Sequence, residues 1–175
     1  MPRPYRGLRL TGDISLPSAG KERRKEGFGL GTLALVRGHR ALPHTADIVV
    51  QAWADSLEEC VAEAVRGLVE SFADVNDAVP DDSVVLVVDE ETDEALLVAV
   101  LDEVIYQVEV RGRVPVDVSI DERTGATKGQ VEVRLATVPT ERIDQVGAVP
   151  KAVALNGLRL DRVGAGWQAH VVIDV

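Results

Sequence analysis

From residue 47 onward the chain switches between two hydrophobic periods. Ile48, Val50 and Ala52 alternate with Val49, Gln51 and Trp53, which predicts a strand with one buried face. Ser56 follows with Glu59 three residues later, a capping box that opens a helix. In it Leu57, Cys60, Val61, Ala64, Leu68 and Phe72 recur at three and four residues and form one buried stripe. "SVVLVVD", residues 83–89, reads as a second strand, apolar on both sides. Thr92 caps a second helix with Asp93 and Glu94 in its first turn, where the helix dipole favours negative charge. Its buried face comes from Leu96, Leu97, Val100, Leu101, Val104, Ile105 and Val108.

After Gly112 the pattern is extended to the end. "VPVDVSID" and "GQVEVRLATV" flank the turn-rich "ERTGATK" and predict a hairpin. "PKAVAL", Asn156-Gly157 and "LRLD" predict another hairpin or a bulged pair, since Asn-Gly is a strong turn signal. "GWQAHVVIDV" is the closing strand. The order β-α-β-α-β-β-β-β predicts an α+β fold, a single two-layer domain with a mixed β-sheet and two helices on one face.

Composition narrows the class. Hydrophobic residues make up 46% and aromatic ones 3%, so the core has to be built from Val, Leu, Ile and Ala. No apolar run approaches the ~20 residues of a membrane helix. The start of the chain has no uninterrupted apolar stretch of the secretory kind. A single cysteine allows no internal disulfide, and together these features point to a cytoplasmic protein.

The net charge of −10 is unevenly spread, because residues 1–38 carry eight Lys or Arg against three acids, +5, which leaves −15 for the rest. Residues 1–38 read as a basic, solvated N-terminal extension and residues 39–175 as the folded domain. So acidic a body is a poor direct ligand for phosphate backbones.

Most of the chemistry-bearing residues have structural readings. Cys60 occupies an apolar helix position and belongs to the core. "GFGLGT", residues 27–32, lacks the Lys-Ser/Thr ending of a phosphate loop and reads as linker. No His and Cys pair has zinc spacing, no G-x-S-x-G occurs, and His170 alternates with apolar residues of the last strand as a structural residue would. Carboxylates remain. Asp47 begins one strand, Asp174 nearly ends another, and Val175 offers a main-chain carboxylate beside it. Strand-end Asp and a frayed terminus are common, so the residues alone favour a solvated pair. If the two ends meet, the cluster repels itself unless a cation neutralises it, and all-oxygen ligation suits Ca²⁺ or Mg²⁺.

A family resemblance gives these carboxylates a role. "HTADIVVQAWADSLEEC" resembles the opening signature of the archease family, with His44-Thr45-Ala46-Asp47, Trp53 and Ser56-Leu57-Glu58-Glu59 in the matching places. "EALLVAVLDEVIYQ", residues 94–107, is similar to the family's second helix, and "GWQAHVVIDV" to its ending, an Asp followed by one aliphatic residue. Two features depart from the family: Lys151-Ala152-Val153 continues as Ala154-Leu155-Asn156 instead of Thr-Tyr-His, and the basic N-terminal extension is absent from a typical member.

The resemblance implies a protein that is no enzyme itself but the cofactor of an RtcB-type RNA ligase in tRNA splicing and RNA repair. It would promote guanylylation of the ligase, permit multiple turnovers and touch RNA only indirectly. The implied metal ligands are Asp47, Asp174 and the terminal carboxylate of Val175, holding a divalent cation, Ca²⁺ or Mg²⁺. His44 and Lys151 are the implied supporting or partner-contact residues. Two other classes stay open, namely a general chaperone or specificity modulator of an RNA-modifying enzyme, and a metal-dependent hydrolase.

Overall fold

The structure, a computed structural model, describes residues 37–43, 47–122 and 130–175. The stretch "GFGLGT", His44 and most of the "ERTGATK" turn lie outside the described residues.

In chain order the elements are β1 (Gly38–Pro43), β2 (Asp47–Ala54), α1 (Leu57–Phe72), β3 (Ala73–Asp74), β4 (Asp82–Asp89), α2 (Asp93–Glu109), β5 (Arg113–Glu122), β6 (Gln130–Pro139), a 3₁₀ turn (Thr140–Arg142), β7 (Asp144–Gln145), β8 (Ala152–Val163) and β9 (Gly166–Asp174). The α+β class with two helices holds. The single mixed sheet does not. The strands form a four-stranded sheet β1-β2-β9-β8, a three-stranded sheet β4-β6-β5 and the short pair β3-β7, all antiparallel. Period-two patterning marks which residues are strands but carries no record of which strand pairs with which.

Both helices are capped where expected. The Ser56 hydroxyl accepts from the Glu59 N–H at 3.2 Å and the Thr92 hydroxyl from the Ala95 N–H at 3.2 Å, each filling one orphan donor of a first turn. At the far end of α1 the Phe72 carbonyl accepts from the Val146 N–H at 2.8 Å, so the residue that follows β7 closes what the helix leaves open. Gly112, at φ 62°, takes the left-handed turn that releases α2 into β5.

Burial wraps each helix further than one stripe. Ala62, Glu63, Val65 and Val69 of α1 are buried as well as the expected positions. The reason is tertiary, because α1 packs on β1, β2 and β9 of one sheet and on β5 of the other, while α2 packs on β8 and on β4 and β5. The helix pair thus packs against strands of both larger sheets. The core cluster runs through all of it, from Val50 and Ile173 to Leu68, Leu97, Leu101 and Leu135.

Two strands differ from their sequence reading. β4 buries Leu86 and Val88 but leaves Val87 exposed, since it is the edge of its sheet and only one face is covered. β8 runs straight through Asn156-Gly157 as one strand with a bulge, the register with β9 slipping between Ala154 and Arg159. Gly157 at φ 82° supplies that irregularity, and the hairpin turn falls instead at Gly164, φ 62°.

Candidate functional site

β2 and β9 run antiparallel down the middle of the four-stranded sheet, and their register places Asp47 directly opposite Asp174. The alternation that buries Ile48, Val50 and Ala52 on β2 and Ile173 and Val171 on β9 turns both Asp side chains to the opposite, open face. Asp47 is half-buried and Asp174 exposed. Directly opposed residues of an antiparallel pair have Cβ atoms about 4.5–5.5 Å apart, a range at which two carboxylates repel.

Among the described residues neither side chain has a hydrogen bond or ion pair to relieve that repulsion. β8 completes the corner, since Ala152 pairs with Asp174 and the Lys151 N–H donates to the Asp174 carbonyl at 2.8 Å. Val175 follows directly, its half-buried side chain packed against the core, which holds this end of the chain beside the two Asp residues. Of the sequence-derived site residues, Asp47, Asp174, Val175 and Lys151 thus share one corner of the sheet, and His44 lies outside the described residues. No group of three His, Cys, Asp or Glu side chains suited to a metal occurs among the described residues, so an ion here would need the main-chain carboxylate as its third anionic donor.

Cys60 is buried in the core, as expected, and burial pushes its thiol up to about 11, far from nucleophile range. A second charged cluster escaped the sequence reading. His39 on β1 hydrogen-bonds Glu63 at 2.6 Å and Glu70 at 3.1 Å on α1, and Arg66 binds Glu63 at 2.8 Å. Arg37 pairs with Glu59. The bonds to Glu63 and Glu70 raise His39 to about 9. Burial pushes the Glu63 carboxyl up, but His39 and Arg66 outweigh it and hold the group below its ordinary value. The cluster pins the edge strand to the helix. It was invisible in sequence because β1 begins at Gly38, inside the segment read as extension, and its first residues have no apolar alternation.

A helix pair enclosed by antiparallel sheets, with paired strand-end carboxylates as its distinctive corner and its one thiol buried among the described residues, defines a small α+β protein with a carboxylate corner. Residues 39–175 match the Archease protein family, and the chain belongs to that family. It is 43% identical over 138 residues to the probable protein archease of Mycobacterium tuberculosis, covering 79% of this chain and 75% of that one. The fold is similar to the solution structure of Methanobacterium thermoautotrophicum protein 1598, with TM-score 0.60 and 17% identity over 79% of this chain and 99% of the other. It is also similar to the crystal structure of a Thermotoga maritima archease, described as a possible chaperone, with TM-score 0.53 and 24% identity over 77% and 94% of the two chains.

Proposed function

We propose that this chain activates an RtcB-type RNA ligase, promoting guanylylation of the ligase and its repeated turnover in tRNA splicing or RNA repair. A divalent cation would be held by Asp47, Asp174 and the Val175 carboxylate. The observation that carries the reading is the register pairing of Asp47 with Asp174, two carboxylates without partners among the described residues at one corner of a sheet. Their donor set suits the group. Oxygen donors of like charge favour a hard cation such as Ca²⁺ or Mg²⁺, and the ion removes their mutual repulsion. When bound, it supplies a concentrated positive charge suited to nucleotide phosphates. The chain's own residues orient it. β2 and β9 hold the two carboxylates side by side, and the Lys151 N–H ties the Asp174 backbone to β8.

The test is guanylylation of a cognate RtcB-type ligase with GTP, with and without this protein. The wild-type protein should raise the rate and extent of labelling. Asp47→Ala, Asp174→Ala and a tag added after Val175 should each lower stimulation by about tenfold or more. Combining them should add little, because each disables one unit. A tag at the other end should be harmless. The alternative is a general chaperone or a specificity modulator of an RNA-modifying enzyme, and the Thermotoga maritima relative is described as a possible chaperone. In that case the ligase would be indifferent to all of these changes.

A further inference from the structure

On the open face of the four-stranded sheet, one cross-strand row joins all four strands. Arg40 of β1 pairs with Gln51 of β2, Gln51 with His170 of β9, and His170 with Arg159 of β8. The row spans three strand spacings, about 14 Å. Arg40 Nε donates to Gln51 Oε1 at 2.6 Å, and Gln51 Nε2 lies 3.4 Å from His170 Nδ1.

The row ends in a guanidinium group on each side. Arg37, Arg66, Arg113, Arg134 and Arg142 each hold a carboxylate. Among the described residues Arg40 and Arg159, like Arg111 and Arg162, have no such ion pair, and Arg40 and Arg159 are exposed on one face of one sheet. With Trp53 and Gln168 from the next row they line a shallow groove of about 420 Å³. Gly38 shapes one wall, because a Cβ there would stand 2.7 Å from Trp53 Cζ2, so only glycine lets the indole lie against the β1 backbone. Asp161 is the one acid of the groove, and Asp47 and Asp174 lie on the same face, two rows further along.

Two guanidiniums at the ends of a row this long suit two non-adjacent phosphates of an extended strand, with a nucleotide between them lying over the row. A half-exposed indole offers a stacking platform, and amide and imidazole groups offer sequence-tolerant polar contacts. A duplex, with its dense charge, is disfavoured by the net charge of −10. An acidic peptide would gain nothing from the indole, whereas the bases of a single strand stack on it. We propose that this row, with Trp53, binds single-stranded RNA directly across the open face of the sheet. The choice of RNA rests on the ligase-activator reading, whereas the anion row and the stacking ring do not.

The experiment measures binding of a labelled single-stranded RNA of about 12 nucleotides to the full chain, without ligase, across a salt series. The wild-type protein should bind. The double variant Arg40→Gln/Arg159→Gln, whose positions are exposed and leave the core intact, should bind at least about tenfold more weakly. Its salt slope should fall by about 1.4, two phosphates at roughly 0.7 each. Trp53→Leu, shown by melting to be folded, should weaken binding by about tenfold with the slope unchanged. Absence of wild-type binding, an unchanged double variant, or displacement by polyglutamate as efficient as by unlabelled RNA would each overturn the proposal. Failure of the wild-type protein to stimulate guanylylation would instead sink the activator reading and leave these binding curves untouched.

Discussion

At the residue scale the fold holds two opposite solutions to the placing of charge. Asp47 and Asp174 face each other without a partner among the described residues, whereas Glu63, almost wholly buried, is surrounded by His39 and Arg66. A buried carboxylate has to be paired, because the desolvation cost is otherwise unrelieved, while a pair reached by solvent stays hydrated. The His39 cluster gives stability a definite pH dependence. Its folded value of about 9 stands above the ordinary 6.5, so folding favours the protonated ring. That contribution is complete below about pH 6.5 and is lost as pH rises through about 9. It should be worth on the order of 1–3 kcal/mol. Glu63, held low, has the opposite sign, and its contribution is present above the ordinary carboxylate range and lost in acid. The melting temperature should therefore decline between pH 7 and 10, and in His39→Gln it should start lower and stay flat across that window.

At the scale of elements the helices were legible and the first strand was not. Ser56 and Thr92 announce their helices through hydrogen bonds that close within three residues, and the apolar positions of α2 are all buried as read. β1 has no such signature. Only its pairing with β2 and its ion pairs to α1 make it a strand. A chain starting at Arg37 should therefore melt close to the full chain, since every strand pairing and ion pair described here remains. A chain starting at His44 loses β1, bares the edge of β2 and leaves Glu63 without its histidine. It should lose about 3–5 kcal/mol, the scale of breaking a buried pair, which urea unfolding of the two chains would measure. The bulge of β8 follows the same logic. Asn156-Gly157 predicts a hairpin or a bulged pair, and the bulge is what forms, since Gly157 takes a positive φ while continued pairing of Arg159 with His170 keeps the strand running.

At the scale of the whole molecule, a cation held as proposed by the carboxylate corner would couple ion binding to folding. The unfolded chain separates Asp47 from Asp174, so a cation that needs both stabilises only the folded state. Ca²⁺ or Mg²⁺ at about 100 times its dissociation constant should add about 2.7 kcal/mol. For a domain of this size that is a rise in melting temperature of roughly 5–10 °C, reversed by EDTA. Asp174→Asn should abolish the response and, by removing one of two facing like charges, leave the metal-free protein no less stable. An unchanged melting curve in both ions would end the metal-centre proposal without touching the fold.

What was determined by sequence alone is whatever depends on neighbours along the chain. Periods of two and 3.6 mark the strands and helices, and caps close within one turn. The motifs around Asp47 and at "VVIDV" are continuous stretches whose family resemblance needs no coordinates. Tertiary structure alone decided the partners. Nothing local to β2 states that it pairs with β9 instead of β4, or that the strands divide into separate antiparallel sheets around the helices. Strand pairing is a choice among distant segments, made by the burial of the helix pair between two apolar faces. Once that choice is made, a period-two register delivers Asp47 to Asp174 and aligns Arg40, Gln51, His170 and Arg159 in one row.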